Sequence, residues 1–258
     1  MTSRILAVLL IFAGGLSAEQ HRQLALQHYA AEEYERAQRA FERALLENPE
    51  NSELNLWVGL AIGRRVQTMS AFRRLGAMPL VARVKRQFEK AVELDGSNID
   101  ALDALMGFLL EAPGIVGGSK RDARGVAERI QAVSSAHGAY ALGIWHEEVG
   151  EIEQACKQFE LARERAPDNS SYLVAHAGFL ARRGSHTESD DLFEAALARD
   201  PENPAVWLAA AKAWIGARRK SLYPRAKQLA ERYLASPDRD PNGTPLFEVR
   251  ALLKRVPR

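Results

Sequence analysis

The spacing of four residue types constrains this chain more than any other feature. Ala155, Phe159, Ala162 and Pro167 are followed 34 residues later by Ser189, Phe193, Ala196 and Pro201. Ala37, Phe41, Ala44 and Pro49 set out the same order upstream. Small, aromatic and small residues at offsets of four and three fall on one face of a helix. A proline five residues further on cannot continue that helix. The preceding half of the unit carries Leu142-Gly143 and then Gly150, and Trp57, Leu60 and Ala61 fit the same half earlier in the chain. A lone helical pair cannot bury both of its apolar faces, so units of this kind must stack. Phe159 is expected to fill the space between helices, while Ala155 and Ala162 let the helices approach closely.

This period and pattern resemble the tetratricopeptide repeat (TPR), with two antiparallel helices per unit. The resemblance implies an all-α fold, a right-handed α-solenoid of about six helical hairpins closed by a C-terminal capping helix. The units fall at about 19–51, 53–97, 99–135, 136–169, 170–203 and 204–238, with the cap at 244–256. The second unit is stretched. Apolar residues at Ile62, Val66, Met69, Phe72 and Leu75 keep helical spacing, which predicts a first helix running from near Trp57 to Leu75 and a second starting near Pro79. Ser236 to Gly243 is a breaker-rich loop ahead of the cap.

Residues 1–18 read as a secretory signal. Arg4 supplies a positive start, Ile5 to Leu16 is apolar, and Leu16-Ser17-Ala18 offers small residues for cleavage after Ser17 or Ala18. The run is too short for a bilayer span, which needs about 20 apolar residues. A periplasmic or secreted location is therefore expected. The single cysteine, Cys156, excludes an intramolecular disulfide and reads as a buried apolar residue within a helix. The formal charge is only +2, with bases interleaved among acids, which argues against a nucleic-acid partner.

Glu111 to Lys120 holds a glycine-rich loop where a tight turn is expected. Its order is wrong for a phosphate-binding P-loop, since Ser119 precedes Lys120 and no strand leads in. Pro113 and Gly114 are expected to end one helix, and Gly117 and Gly118 to adopt unusual backbone angles. Ser119 caps the next helix with Asp122 as a capping-box-like partner, and Ile115 and Val116 tuck between helices. The loop is similar to that of exported bacterial repeat proteins with a PGIVGGSK-like segment. That resemblance implies an envelope location and no particular chemistry.

Candidate chemistry is sparse. The six histidines show no metal-ligand spacing, so neither a metal nor another cofactor is expected. His28 and His146 share a repeat position, one where an aromatic often packs. No nucleophile motif is present, and an enzyme is not expected. The acid pairs Glu32-Glu33 and Asp190-Asp191 are read as helix-start residues that favour the dipole. Arg64, Arg65, Arg73 and Arg74, with Arg83, Lys85 and Arg86, make a basic patch suited to an acidic partner or anionic head groups. In the TPR register, Asp100, Asp103, Tyr140, Ile144, Glu147, Arg182 and Lys212 project into a concave groove. That mixture suits a peptide or helix held by a few apolar anchors within a polar rim. The expected function is a protein-interaction scaffold. The alternative is a small-molecule or lipid-binding accessory of an envelope transport system.

Overall fold

The computed structural model describes residues 16–70, 73 and 76–256. Most of the expected signal sequence lies outside the described residues. Among those described, regular structure is helical throughout, with consecutive helices packed in pairs. The chain divides into two compact units, one through Ala104 and one from Leu105.

The first unit contains α1 (Ala18–Ala30), α2 (Tyr34–Glu47), α3 (Ser52–Thr68) and α4 (Met78–Leu94), each packed on the next. Ser17 opens α1 with a reciprocal capping box to Gln20, and Asn51 caps α3 through the Leu54 amide. The core is aromatic. Tyr29 meets Tyr34 and Trp57 edge-on, and Phe41 stacks on Trp57 at 5.4 Å. Gly59 gives Phe88 its space, since a Cβ there would lie 2.5 Å from the Phe88 ring.

The expected bounds of the second unit's first helix, from near Trp57 to Leu75, are corrected at both ends. Helix α3 begins at Ser52, before Trp57, and ends at Thr68. The Thr68 hydroxyl donates to the carbonyls of Arg64 and Arg65, and Met69 is extended (φ −67°, ψ 146°), so the apolar spacing beyond it does not continue this helix. Phe72 and Leu75 lie outside the described residues. Ala61, which fits the repeat's first-helix half, is buried, and Gly59 is the residue pressed against the Phe88 ring.

The second unit holds α6 (Lys120–Val133), α7 (Ser135–Val149), α8 (Ile152–Arg165), α9 (Ser170–Arg183), α10 (His186–Arg199), α11 (Pro204–Gly216), α12 (Tyr223–Ala235) and α13 (Leu246–Leu253). The unit boundary falls within α5 (Ile99–Glu111). Helices α7 and α8, α9 and α10, and α11 and α12 pair as hairpins, and α13 packs on α12. Gly150 and Gly184 end α7 and α9 at φ +85° and +84°, angles that cost a residue with a side chain. Phe159 and Phe193 are 1% exposed, and Ala155, Ala162 and Ala196 are buried beside them. Val249 of α13 closes the core around Trp214 and Tyr233.

The glycine-rich loop is fixed by contacts on both sides. A short 3-10 turn spans Gly114–Val116, and Val116 is buried while Ile115 points to solvent, 85% exposed. Only one of that apolar pair therefore tucks in. Gly117 takes φ +94°. Gly118 is required by space and not by its angles, because a Cβ would sit 1.7 Å from the Ala112 carbonyl oxygen. The Ser119 amide donates to the Leu109 carbonyl, and its hydroxyl accepts from the Asp122 amide. Trp145 Nε1 donates to the Lys120 carbonyl at 2.6 Å, and the Lys120 ammonium donates to the Glu148 carbonyl, so α7 holds the loop.

Candidate functional site

A groove of about 750 Å³ lies within the second unit. Its floor repeats in register. Tyr140, Val174 and Leu208 stand 34 residues apart on α7, α9 and α11, and all three line it. So do Ile144, Gly178 and Lys212, at the same spacing and one helical turn further along. Residues four apart share a helix face, so each first helix presents the same stripe to the groove. Gly178 keeps the middle of the floor low. Asp240, Gly243 and Thr244 close one end, where Lys212 Nζ lies 3.4 Å from Thr244 Oγ1.

The polar rim is organised around Glu147. Its carboxylate accepts from Arg182 through Nε and Nη2, with Arg183 at 3.4 Å. The hydrogen bond that Arg182 donates to Glu147 raises the Arg182 pKa above its ordinary value, and burial opposes the rise. Of the seven residues assigned to a groove, Tyr140, Ile144, Arg182 and Lys212 line this one, and Glu147 positions Arg182. Asp100 and Asp103 belong to the first unit.

The basic patch is interleaved with acids. Arg65 lies 3.5 Å from Glu35 and also donates to Gln38. Arg83 pairs with Glu42 at 2.7 Å, Lys85 with Glu89 at 3.5 Å, and Arg64 donates to Gln67. Arg73 is exposed, and Arg74 lies outside the described residues.

Three polar relationships differ from the sequence expectation. Asp190 is not a helix-start residue held by the dipole alone; it accepts from Trp214 Nε1 at 2.8 Å and from Arg219 at 2.5 Å. His28 and His146 do not simply pack as aromatics. Each Nδ1 meets a glutamate five residues on, Glu33 at 2.6 Å and Glu151 at 2.7 Å. The contact to His28, with Arg36 second, holds the Glu33 carboxyl below its usual range. Cys156 is only half-buried. Its Sγ lies 3.7 Å from Glu160 Oε1 and 3.8 Å from His176 Nε2. Burial first, then Glu160, pushes this thiol up, while burial and Arg163 push His176 down to about 4. An activated cysteine nucleophile needs the opposite, a lowered thiol pKa.

No model of a protein family matches the sequence, and no curated protein matches it. Solved structures do. A thermophilic TPR protein from Thermus thermophilus is 21% identical, covering 76% of this chain and 98% of that one, with a TM-score of 0.57. MamA from Desulfovibrio magneticus is 18% identical over 74% of this chain and 99% of that one, with a TM-score of 0.47. The likeness to the Thermus protein is one of fold: this chain is an all-α protein of TPR-like helical hairpins.

Proposed function

We propose that this chain is an exported protein-interaction scaffold that holds a peptide or a partner helix in the groove of its second unit. One observation carries the reading: one register position of three successive repeats, Tyr140, Val174 and Leu208, builds with Ile144 an apolar floor beside charged side chains at Arg182 and Lys212. Such a floor suits an extended ligand whose anchors recur along its length, with the rim fixing orientation. The export reading rests on the charged, apolar and small order of residues 1–18.

The test is selection of binding peptides from a random library on the purified chain, followed by calorimetry on a Gly178→Trp variant. A Cβ at Gly178 meets only the end of the Arg182 side chain, at 3.3 Å, so an indole there fills the groove without entering the core. Peptide affinity is expected to fall at least about tenfold, which is about 1.4 kcal/mol. Peptides that bind Gly178→Trp unchanged would remove the groove assignment. The apolar floor and volume also fit a small lipid or other carried molecule. Binding of a fluorescent fatty acid that is lost in Gly178→Trp, with no peptide selected, would favour that carrier reading. Fusion of residues 1–18 to a reporter tests export separately.

A further inference from the structure

Sequence spacing shows no metal motif, but folding joins three ligand-type side chains from neighbouring helices. Cys156 and Glu160 stand four apart on α8, on one face, and His176 comes from α9. Their ligand atoms all lie within 4.8 Å of one another. We propose that Cys156, Glu160 and His176 form a three-ligand site for a divalent cation of the zinc class, with the fourth position left to water or an incoming ligand.

The geometry is close to what such an ion requires. Zinc bonds of about 2.3 Å to sulfur and about 2.0–2.2 Å to nitrogen and oxygen, at tetrahedral angles, set ligand atoms roughly 3.3–3.6 Å apart. The two distances from Sγ are 3.7 and 3.8 Å, a few tenths longer. The remaining edge closes by rotation of the Glu160 side chain about its own torsions.

His176 is the fixed member. It is 1% exposed, and its ring packs against the Phe159–Phe179 pair, 6.3 Å from each between centroids. Its Nδ1 is buried with no protein partner, and Nε2 is the nitrogen that faces the thiol. Neutral imidazole, the form in which one ring nitrogen keeps a free lone pair, is the form that binds a metal. Thiolate and imidazole with one carboxylate suit zinc better than magnesium or calcium, which take oxygen ligands.

Charge also balances. In the metal-free protein Cys156 holds its proton, so binding follows Cys156–SH + M²⁺ → Cys156–S–M⁺ + H⁺. The S–H bond breaks, sulfur donates the freed pair to the metal, and the proton leaves to solvent. Thiolate and Glu160 carboxylate together offset the two positive charges. Arg163, the nearby cation, then faces a neutral centre, and Glu188 adds a negative field.

The test is titration of the reduced full chain with Co²⁺, whose bond to a thiolate gives a sulfur-to-metal charge-transfer band in the near ultraviolet. The band is expected to saturate at about one ion per chain, to be displaced by Zn²⁺, and to vanish in Cys156→Ser. Replacing His176 risks the fold, so Glu160→Gln supplies the second arm. It is expected to weaken binding at least about tenfold while circular dichroism stays unchanged. No band in the wild type, a band that survives Cys156→Ser, or an affinity unchanged in Glu160→Gln would each overturn the site. The first of those results would leave the three residues as a plain hydrogen-bonded cluster.

Discussion

Glu147 on α7 accepts two hydrogen bonds from Arg182 on α9, at 2.9 and 2.7 Å, across 35 positions of sequence. The pair joins the first helices of two adjacent hairpins. Glu147 is the covered end, with 11% of its side chain exposed, and Arg182 the open end, at 58%. Bidentate geometry makes this stronger than an ordinary surface pair, while exposure of the guanidinium limits it. Arg182→Ala is expected to lower stability by about 1 kcal/mol in urea denaturation. Loss of nothing measurable would mean that Arg183, at 3.4 Å, takes over the carboxylate.

Two glycines of similar appearance are expected to respond with opposite signs. A Cβ on Gly143 would lie 2.9 Å from the Phe159 ring, which is enclosed and cannot retreat. Gly143→Ala is expected to cost about 1–3 kcal/mol by overpacking. A Cβ on Gly63, inside α3, meets nothing within 4 Å. Gly63→Ala is expected to stabilise by about 0.5–1 kcal/mol through helix propensity. Thermal melts of the two variants check the contrast.

Trp214 is 1% exposed, and its Nε1 depends on Asp190 for an acceptor. Asp190→Ala leaves that donor buried and frees Arg219 as well. The expected cost is about 1–3 kcal/mol. Asp190→Asn keeps an acceptor oxygen and is expected to recover part of the loss in the same denaturation assay.

His176 makes stability depend on pH. Its folded pKa is pushed from 6.5 down to about 4, so the unfolded chain binds the proton more readily. Its contribution is fully present above pH 6.5 and is lost as pH falls towards 4. The loss is on the order of 3 kcal/mol for a shift of this size. Denaturation at about pH 7.5 and about pH 4.5, with zinc chelated, is expected to show it. His176→Phe should flatten that part of the profile even if it lowers stability overall.

The helical hairpins were legible because Phe41, Phe159 and Phe193 sit at a fixed period with small residues on either side, and periodicity reports burial directly. The floor of the groove follows from the same register, since Tyr140, Val174 and Leu208 share one repeat position. What the letters concealed is pairing between helices. Cys156 and Glu160 are a readable pair on one helix, but His176 joins them only when α9 folds back along α8. Asp190 looked like a helix-start acid because its partner Trp214 lies 24 positions away. The end of α3 was hidden by apolar spacing that continues past Thr68, where a hydroxyl bonds back to the preceding turn.

Val249 fits into the core formed by Trp214 and Tyr233, and the Tyr233 hydroxyl donates to the Thr244 carbonyl. In the second unit each earlier hairpin is covered on its far side by the next, as α9 is by α11. The α11–α12 pair has α13 in that place, so removal of α13 leaves its apolar bed open to solvent. A chain truncated before Leu246 is therefore expected to expose an adhesive apolar end and to aggregate at concentrations at which the full chain stays dispersed.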